Sequence, residues 1–203
     1  MLALPRGEFA NASVLQGPAG LVYLLRAKAG RSYLLEKDLS SHKTRTLAVL
    51  ASTRLHPALA YTAGQVCILG GTNESEGQVY KDCIQVENRL GGIARLPDLT
   101  YARGKAAAVW CQQRLYVIGG FEEVWRNGQA KYRLSTTIEK LNEGNWVLIS
   151  LRLPIPLAHP CPSLLHNRLF LLGNFHPQAA LLAALSPTPL STNSPSSPAG
   201  LGK

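Results

Sequence analysis

The residue types that carry out most enzyme chemistry occur in this chain, but their spacing matches no catalytic pattern. The sequence contains no H-E-x-x-H, G-x-S-x-G or glycine-rich phosphate-binding motif. No two histidines lie four residues apart, and we expect all five in turns or at strand ends: His42, His56, His159, His166 and His176. The sequence therefore predicts no catalytic residues, no metal site and no cofactor, and we expect a protein that is not an enzyme.

The four cysteines are scattered along the chain without a C-x-x-C spacing. This pattern disfavours a zinc site and favours a reducing compartment. We expect all four to be small buried side chains on strands: Cys67, Cys83, Cys111 and Cys161. Because no apolar run reaches about 18 residues and residues 1–11 lack the apolar stretch of a secretory signal, we expect a cytoplasmic or nuclear protein without a membrane span.

Positive charge is spread thinly over the sequence. The formal net charge is +9, yet there is no basic block and no basic stripe with interleaved aromatic residues. Nucleic-acid binding is therefore not expected. A diffuse positive field is better suited to an acidic protein or peptide partner.

The elements that must position any binding residues are revealed by an internal repeat. Residues 55–71 and 104–120 both consist of a small apolar run, a polar turn, a second apolar run and a Gly-Gly pair. Arg54 and Arg103 precede the two copies, which lie 49 residues apart. A third copy at 158–174 ends in Gly-Asn, and Asn is the residue best able to replace Gly where φ is positive. Such short apolar runs bounded by glycines predict β-strands.

The second half of each unit repeats as well. A glutamate follows apolar residues and precedes a polar turn at three positions, 51 and 52 residues apart: Glu36, Glu87 and Glu139. Each is followed by another strand-like segment. Residues 9–16 and 21–25 occupy the first two strand positions of an earlier unit that lacks the glycine pair. The sequence therefore predicts three four-strand units, at 9–50, 54–97 and 103–151, and half a unit at 158–174.

A period of about 50 residues, with four strands and a Gly-Gly pair closing the second, resembles the kelch repeat. The resemblance rests on the paired glycines, the aligned glutamates, and on Arg54, Arg103, Tyr116 and Trp146. The tryptophan that follows the third strand in this family is clear only at Trp146. The resemblance implies an all-β fold of kelch-type β-propeller blades, each a sheet of four antiparallel strands around a central axis.

The small apolar run at 106–109 fits an innermost strand, which neighbouring blades cover on both faces. An antiparallel sandwich would use the same strands, but it does not explain the period. We therefore expect an incomplete propeller of about three and a half blades. Residues 1–8 would be a lead-in, and residues 176–203, rich in Ser, Pro and Ala, would be a disordered tail in which 178–185 could at most form a marginal helix. Open ends of such an arc would favour self-association.

The resemblance also implies where a partner would bind. In kelch propellers the binding residues lie in loops between second and third strands, here 72–78 and 121–131, and in loops that precede first strands. The candidate partner-binding residues are Arg54, Asn73, Glu74, Tyr101, Arg103, Glu122, Glu123, Trp125 and Arg126, with His56 and His159 beside them. Trp125 and Arg126 are the most suggestive pair, because Trp and Arg dominate interface hot spots.

Alternatives exist for these residues. Trp125 could fold back on its own blade, and the two aligned arginines could brace loops by pairing with the aligned glutamates. For the whole chain, we expect a protein-interaction module, which in this family often serves as the substrate-recognition part of a ubiquitin-ligase adaptor or contacts the cytoskeleton. The alternative is a truncated or regulatory isoform of a longer kelch protein, with an unclosed propeller and little function of its own.

Overall fold

Eighteen β-strands make up the regular structure in a computed structural model that describes residues 12–165, 168–176 and 179–185. The predicted lead-in at 1–8 lies outside the described residues. The first eight strands are β1 Ala12–Gln16, β2 Leu21–Lys28, β3 Arg31–Asp38, β4 Thr44–Leu50, β5 Ala58–Thr62, β6 Gln65–Asn73, β7 Gln78–Glu87 and β8 Ile93–Leu96. They form two antiparallel sheets of four consecutive strands each, blade 1 (β1 to β4) and blade 2 (β5 to β8).

Blade 3 is interrupted by an extra hairpin. This part of the chain contains seven strands: β9 Arg103–Gly104, β10 Ala107–Cys111, β11 Arg114–Ile118, β12 Phe121–Arg126, β13 Gln129–Leu134, β14 Ile138–Asn142 and β15 Asn145–Leu148. The blade itself has the order β10-β11-β14-β15, and β12 and β13 form a second sheet with β9. The segment predicted as a polar loop at 121–131 is therefore mostly β-structure, and that prediction is wrong.

The cause of the extra hairpin is local. Asn127 and Gly128 form its two-residue turn, and both have positive φ, 51° and 74°. Positive φ at both central residues defines the turn whose twist matches paired strands, and Asn-Gly is the sequence that adopts it best.

Blade 4 contains three described strands, β16 Ala158–Leu165, β17 Arg168–His176 and β18 Ala179–Leu185. The sequence predicted that this blade ends after its second strand and that a disordered tail begins at 176. Both predictions are wrong for 179–185, because β18 pairs with β17 along its length. Alanine and leucine favour helix in isolation, but the free edge of β17 offers backbone donors and acceptors that only a strand can pair. Residues 186–203 of the predicted tail lie outside the described residues.

The core consists of three apolar clusters, each between two successive blades. Tyr23 and Leu34 of blade 1 pack with Ile68 of blade 2, and equivalent clusters join blade 2 to blade 3 and blade 3 to blade 4. Among the described residues no such cluster joins blade 4 to blade 1. The blades therefore follow one another in an open arc, and the predicted all-β fold of four-stranded blades is confirmed.

The Gly-Gly pairs are needed because the next segment of backbone passes close by. Gly70 and Gly119 have matching φ values of 61° and 63°. A Cβ on Gly70 would collide with the carbonyl oxygen of Arg103, and a Cβ on Gly119 would lie 2.9 Å from that of Leu157. These glycines therefore let the segment that leads into each new blade lie against the blade before it.

Candidate partner-binding face

Two of the predicted site residues form a repeated brace. Arg54 and Arg103 each donate through Nη1 to the carbonyl of the first glycine of their own blade, Gly70 at 2.7 Å and Gly119 at 3.0 Å. Their exposed fractions are 3% and 0%. These side chains are therefore structural, and the alternative interpretation of a loop brace describes them better than contact with a partner.

Arg103 lies at the centre of a buried ionic network. Its Nη2 atom is 2.6 Å from Glu139 and 3.0 Å from Glu122, and both carboxylates are fully buried. Burial alone would raise the pKa of Glu122, but hydrogen bonds from Ser135 and Thr137 and the charge of Arg103 outweigh it and hold that pKa below its ordinary value. The predicted pairing of Arg103 with an aligned glutamate is therefore confirmed at Glu139.

The other aligned glutamates do not repeat this arrangement. Arg54 pairs with Asp82 at 2.5 Å and stacks over the ring of Tyr80, 4.4 Å from its centroid. Glu36 pairs instead with Arg45, at 2.6 Å. The expectation that the three glutamates brace the arginines in the same way is wrong outside blade 3, because blade 2 supplies its carboxylate from a different strand position.

Asn73 and Glu122 occupy the same position in successive blades, 49 residues apart, and both are buried. Asn73 accepts a hydrogen bond from the Ser75 hydroxyl at 2.7 Å and so shapes the loop that follows β6. Four of the nine predicted site residues are thus packed inside the blades. Tyr101 is half-buried, and Glu74, Glu123, Trp125 and Arg126 remain at least partly exposed.

Two of the exposed members, Glu123 and Trp125, line a groove between blade 2 and the extra hairpin. Trp125 is 68% exposed and Tyr132 is 52% exposed. The groove has a volume of about 550 Å³ and is lined by Glu76, Gly77, Gln78, Val79, Glu123, Trp125, Ala130 and Tyr132. We call these eight residues the aromatic groove. The alternative that Trp125 folds back on its own blade is wrong.

The hairpin β12–β13 forms one wall of the aromatic groove. Glu123 pairs with Tyr132 across its two strands, and Trp125 pairs with Ala130, so these four side chains share a face. The Tyr132 hydroxyl donates to the carbonyl of Gly77 at 3.1 Å and so ties the hairpin to the loop of blade 2. Burial and the nearby Glu123 carboxylate raise the pKa of Tyr132. Tyr132 was not among the predicted site residues, although the Asn-Gly turn places it opposite Glu123.

A second feature lies where the innermost strands begin. His56, Lys105 and His159 occupy the same position in three successive repeats, and all have left-handed φ values of 49°, 56° and 50°. Their backbones form a chain, in which Lys105 N donates to His56 O at 2.9 Å and His159 N donates to Lys105 O at 2.8 Å. The two imidazole rings meet edge to face, 5.0 Å between centroids. We call these three residues the axial cluster.

One member of the axial cluster, His159, lines a cavity of about 590 Å³ between the innermost strands of the four blades. It does so together with residues of β1, β5, β10 and β16 and the residues that precede them. Burial and the charge of Lys105 lower the pKa of His56, while burial, His56 and Lys105 lower the pKa of His159. The carboxylate of Glu74 acts in the opposite direction on His56.

The cysteines differ in exposure. Cys67 and Cys83 are buried as expected, and burial raises the pKa of Cys83 to about 12. Cys111 is only half-buried and Cys161 is exposed, so the predicted burial is wrong for both, and Cys161 lines the cavity. Within the described residues no three His, Cys, Asp or Glu side chains are grouped so that they could hold a metal ion. The same part of the chain contains no helix that could cross a membrane.

Comparison with known proteins shows the fold. No protein-family model matches the chain, and no curated protein matches it. Among solved structures, YjhT superimposes with a TM-score of 0.67 at 14% sequence identity. The alignment covers 88% of this chain and 66% of YjhT, so the chain spans about two thirds of the length of that protein. The likeness agrees with the sheet order and shows a chain built of β-propeller blades.

Proposed function

We propose that this chain is a non-enzymatic protein-interaction module of the kelch type, which binds a segment of a protein partner in the aromatic groove. The observation that carries the proposal is the exposure of Trp125 and Tyr132, 68% and 52%, on a hairpin that a hydrogen bond from Tyr132 ties to the loop of blade 2. Large aromatic side chains on a preorganised surface lose little entropy on binding and dominate interface energies. The period, the glycine pairs and the arginine brace support the kelch assignment.

The groove favours a partner segment of particular chemistry. Glu76 and Glu123 line it and supply carboxylates, and the face of Trp125 is open to a cation. A segment that brings a Lys or Arg side chain beside an apolar one therefore complements the groove. An acidic region of the same partner would be attracted outside the groove by the diffuse positive charge of the chain, formally +9.

The kelch resemblance supports two cellular roles for such a module, substrate recognition within a ubiquitin-ligase adaptor and contact with the cytoskeleton. Both would occur in the cytoplasm or the nucleus. Neither requires the chain to bind nucleic acid or a membrane.

A second candidate is a truncated or regulatory form of a longer kelch protein. The observation that favours it is the open arc, in which three apolar clusters join four blades and the chain spans about two thirds of YjhT. In this form the blades would fold but would lack a binding function of their own.

Selection of peptides from a displayed random library against the folded chain tests the proposal. We expect the selected peptides to contain basic and apolar residues, and we expect Trp125→Ala to weaken their binding by roughly thirtyfold, the size of a hot-spot truncation. Arg126→Ala should weaken binding less, since Arg126 does not line the groove. Affinities would be measured by isothermal titration calorimetry.

Leu90→Ala provides the matched control. Leu90 is 84% exposed in the turn between β7 and β8, at the opposite end of the blade from the groove. Its truncation removes an exposed apolar side chain without touching the groove. If the selected peptides bind Trp125→Ala and the wild type equally, or if none is selected, the truncated-form candidate stands instead.

A further inference from the structure

We propose that the axial cluster, His56, Lys105 and His159, is a binding site for a compact oxyanion, a carboxylate or a phosphate group. The site is separate from the aromatic groove, and none of its three residues lines that groove. The inference therefore goes beyond the proposed function and can be tested without a protein partner.

The three residues of the cluster share one position in the repeat. The same slot of three successive repeats carries a basic or protonatable side chain, and the backbone hydrogen bonds from Lys105 to His56 and from His159 to Lys105 hold the three slots side by side. Gly or Asn would adopt the left-handed backbone conformation at these three positions with less strain. Backbone geometry alone therefore does not account for a lysine here.

The side chains of the cluster are its main hydrogen-bond donors. Pro57 and Pro160 follow the two histidines, and proline has no backbone N–H. The cluster therefore offers an incoming ligand two imidazoles in edge-to-face contact and one ammonium group, which lies 5.6 Å from the centroid of the Phe121 ring. An oxyanion is the ligand that accepts hydrogen bonds from both kinds of donor.

The side chains of the cluster interact electrostatically with one another. Lys105 acts on both imidazoles, each imidazole acts on the other, and Glu74 is the carboxylate that acts on His56. Positive groups this close repel one another when both histidines are protonated, and an anion between them would relieve that repulsion. Binding should therefore be accompanied by proton uptake and be stronger below the ordinary histidine pKa of about 6.5.

The cavity beside His159 gives such a ligand room. Its volume of about 590 Å³ far exceeds what a phosphate ion needs, and its lining includes Pro57, Ala106 and Pro160, which adjoin the three residues of the cluster in sequence. A larger molecule could place its charged group at the axial cluster and the rest of its structure along the innermost strands.

Titration of the folded chain with inorganic phosphate and, separately, with acetate tests the proposal. The imidazole proton resonances of His56 and His159 would be followed by NMR at pH 5.5 and pH 7.5, with chloride holding the ionic strength constant. We expect saturable shifts of both resonances, with weaker binding at the higher pH. Saturation by phosphate alone identifies a phosphate site, and saturation by both ions identifies a general oxyanion site.

Two variants separate specific binding from nonspecific effects. Lys105→Asn removes the charge but keeps a residue that tolerates positive φ, and it should weaken binding by roughly ten- to hundredfold. Lys105→Arg should restore most of the affinity. The control is His42→Asn, since His42 has the same left-handed φ of 56° but lies in the turn between β3 and β4.

Three results would overturn the proposal. The first is a linear, non-saturating shift shared by His42, which indicates general salt effects. The second is binding that Lys105→Asn leaves unchanged in a chain that is still folded by circular dichroism. The third is the absence of any shift of His56 and His159 with either ion at pH 5.5.

Discussion

Arg103 is a fully buried guanidinium whose two carboxylate partners are also fully buried. Its replacement by Met would leave the buried Glu139 without its counter-charge and would leave Glu122 with Arg133 alone, whose side chain is 52% exposed. We expect Arg103→Met to lower the free energy of unfolding by about 3–5 kcal/mol, the usual result of breaking a buried pair. Urea denaturation followed by circular dichroism measures this loss.

The control for this experiment is Arg95→Ala. Arg95 pairs with Asp98 at 3.2 Å, but its side chain is 73% exposed. Because solvent screens such a pair, we expect its removal to cost at most about 1 kcal/mol. Equal losses for the two variants would contradict the role given to the buried network.

The two axial histidines should make stability depend on pH. Their pKa values are lowered in the folded chain, so the unfolded chain binds protons first as the pH falls below about 6.5. Stability is therefore full above that pH and decreases as the pH falls towards the folded pKa values. We expect the double variant His56→Asn, His159→Asn to flatten the decrease in urea-unfolding free energy between pH 6.5 and pH 5. If the double variant keeps the wild-type slope of unfolding free energy against pH, the two histidines are not its cause. His42→Asn serves as the control.

The lowered pKa of Glu122 produces a separate loss at lower pH. A carboxylate whose pKa is depressed on folding stabilises the fold above its unfolded pKa, near about 4.3, and this stabilisation disappears as the pH falls through the folded value. The two contributions therefore occupy different pH ranges, and the histidine variants should leave the acidic one unchanged.

Cysteine reactivity should follow burial. We expect iodoacetamide to modify Cys161 in the native chain, because Cys161 is exposed. Cys83 should react only after unfolding, since it is buried and burial raises its pKa to about 12. Mass spectrometry of digests with and without urea measures both rates. Native labelling of Cys83 as fast as that of Cys161 would contradict the burial of β7.

At the scale of elements, the hairpin β12–β13 is the part that builds the aromatic groove. Gly128 has a φ of 74° in its turn, with open space where a Cβ would lie. Gly128→Ala therefore meets no clash but places a side chain in a left-handed conformation, at a cost of roughly 1 kcal/mol. We expect faster amide exchange in β12 and β13, measured by mass spectrometry, and unchanged exchange in blades 1 and 2. Uniformly faster exchange would show that the hairpin is not an independent element.

The elements that the sequence predicted well are those that repeat. Strands of blades 1 and 2 and the sheet of blade 3 lie within the predicted units, because apolar runs and glycine pairs recur at a fixed step. The extra hairpin was not predicted, because residues 121–131 fall between two repeating strands and were interpreted as a loop. The Asn127-Gly128 pair is nevertheless a typical hairpin-turn sequence. β18 was missed for a different reason: its pairing with β17 is a tertiary effect that local composition does not encode.

The candidate site was predictable only in part. Trp125 could be selected by residue type, and the structure leaves it exposed. Arg54 and Glu122 were equally suitable as partner-binding residues by type and by position in a loop, yet both are buried. Their side chains point into the blade and not towards a partner. Burial of a polar residue depends on partners far along the chain, such as Asp82 for Arg54, and spacing does not reveal them.

At the scale of the whole molecule, an open arc leaves blade faces uncovered. Val14 and Val49 of blade 1 are 54% and 43% exposed, and Leu172 of blade 4 is 47% exposed. We expect concentration-dependent self-association in sedimentation-velocity experiments, because uncovered sheet faces bury apolar area when they meet. The double variant Val14→Lys, Val49→Lys should shift the chain towards monomer, and Leu90→Ala should not. A compact, cooperatively melting monomer at all concentrations would contradict this expectation.

The segments that lead into successive blades are anchored by unlike chemistry. Arg54 meets Asp82 in blade 2, Arg103 meets Glu122 and Glu139 in blade 3, and Leu157 fills the same slot of blade 4 inside an apolar cluster. Each arginine meets its acceptors within its own repeat unit, Arg54 within 54–97 and Arg103 within 103–151. A recombinant chain that duplicated or exchanged whole units would therefore keep these ion pairs. Such a chain would instead change the fit of the apolar clusters between neighbouring blades.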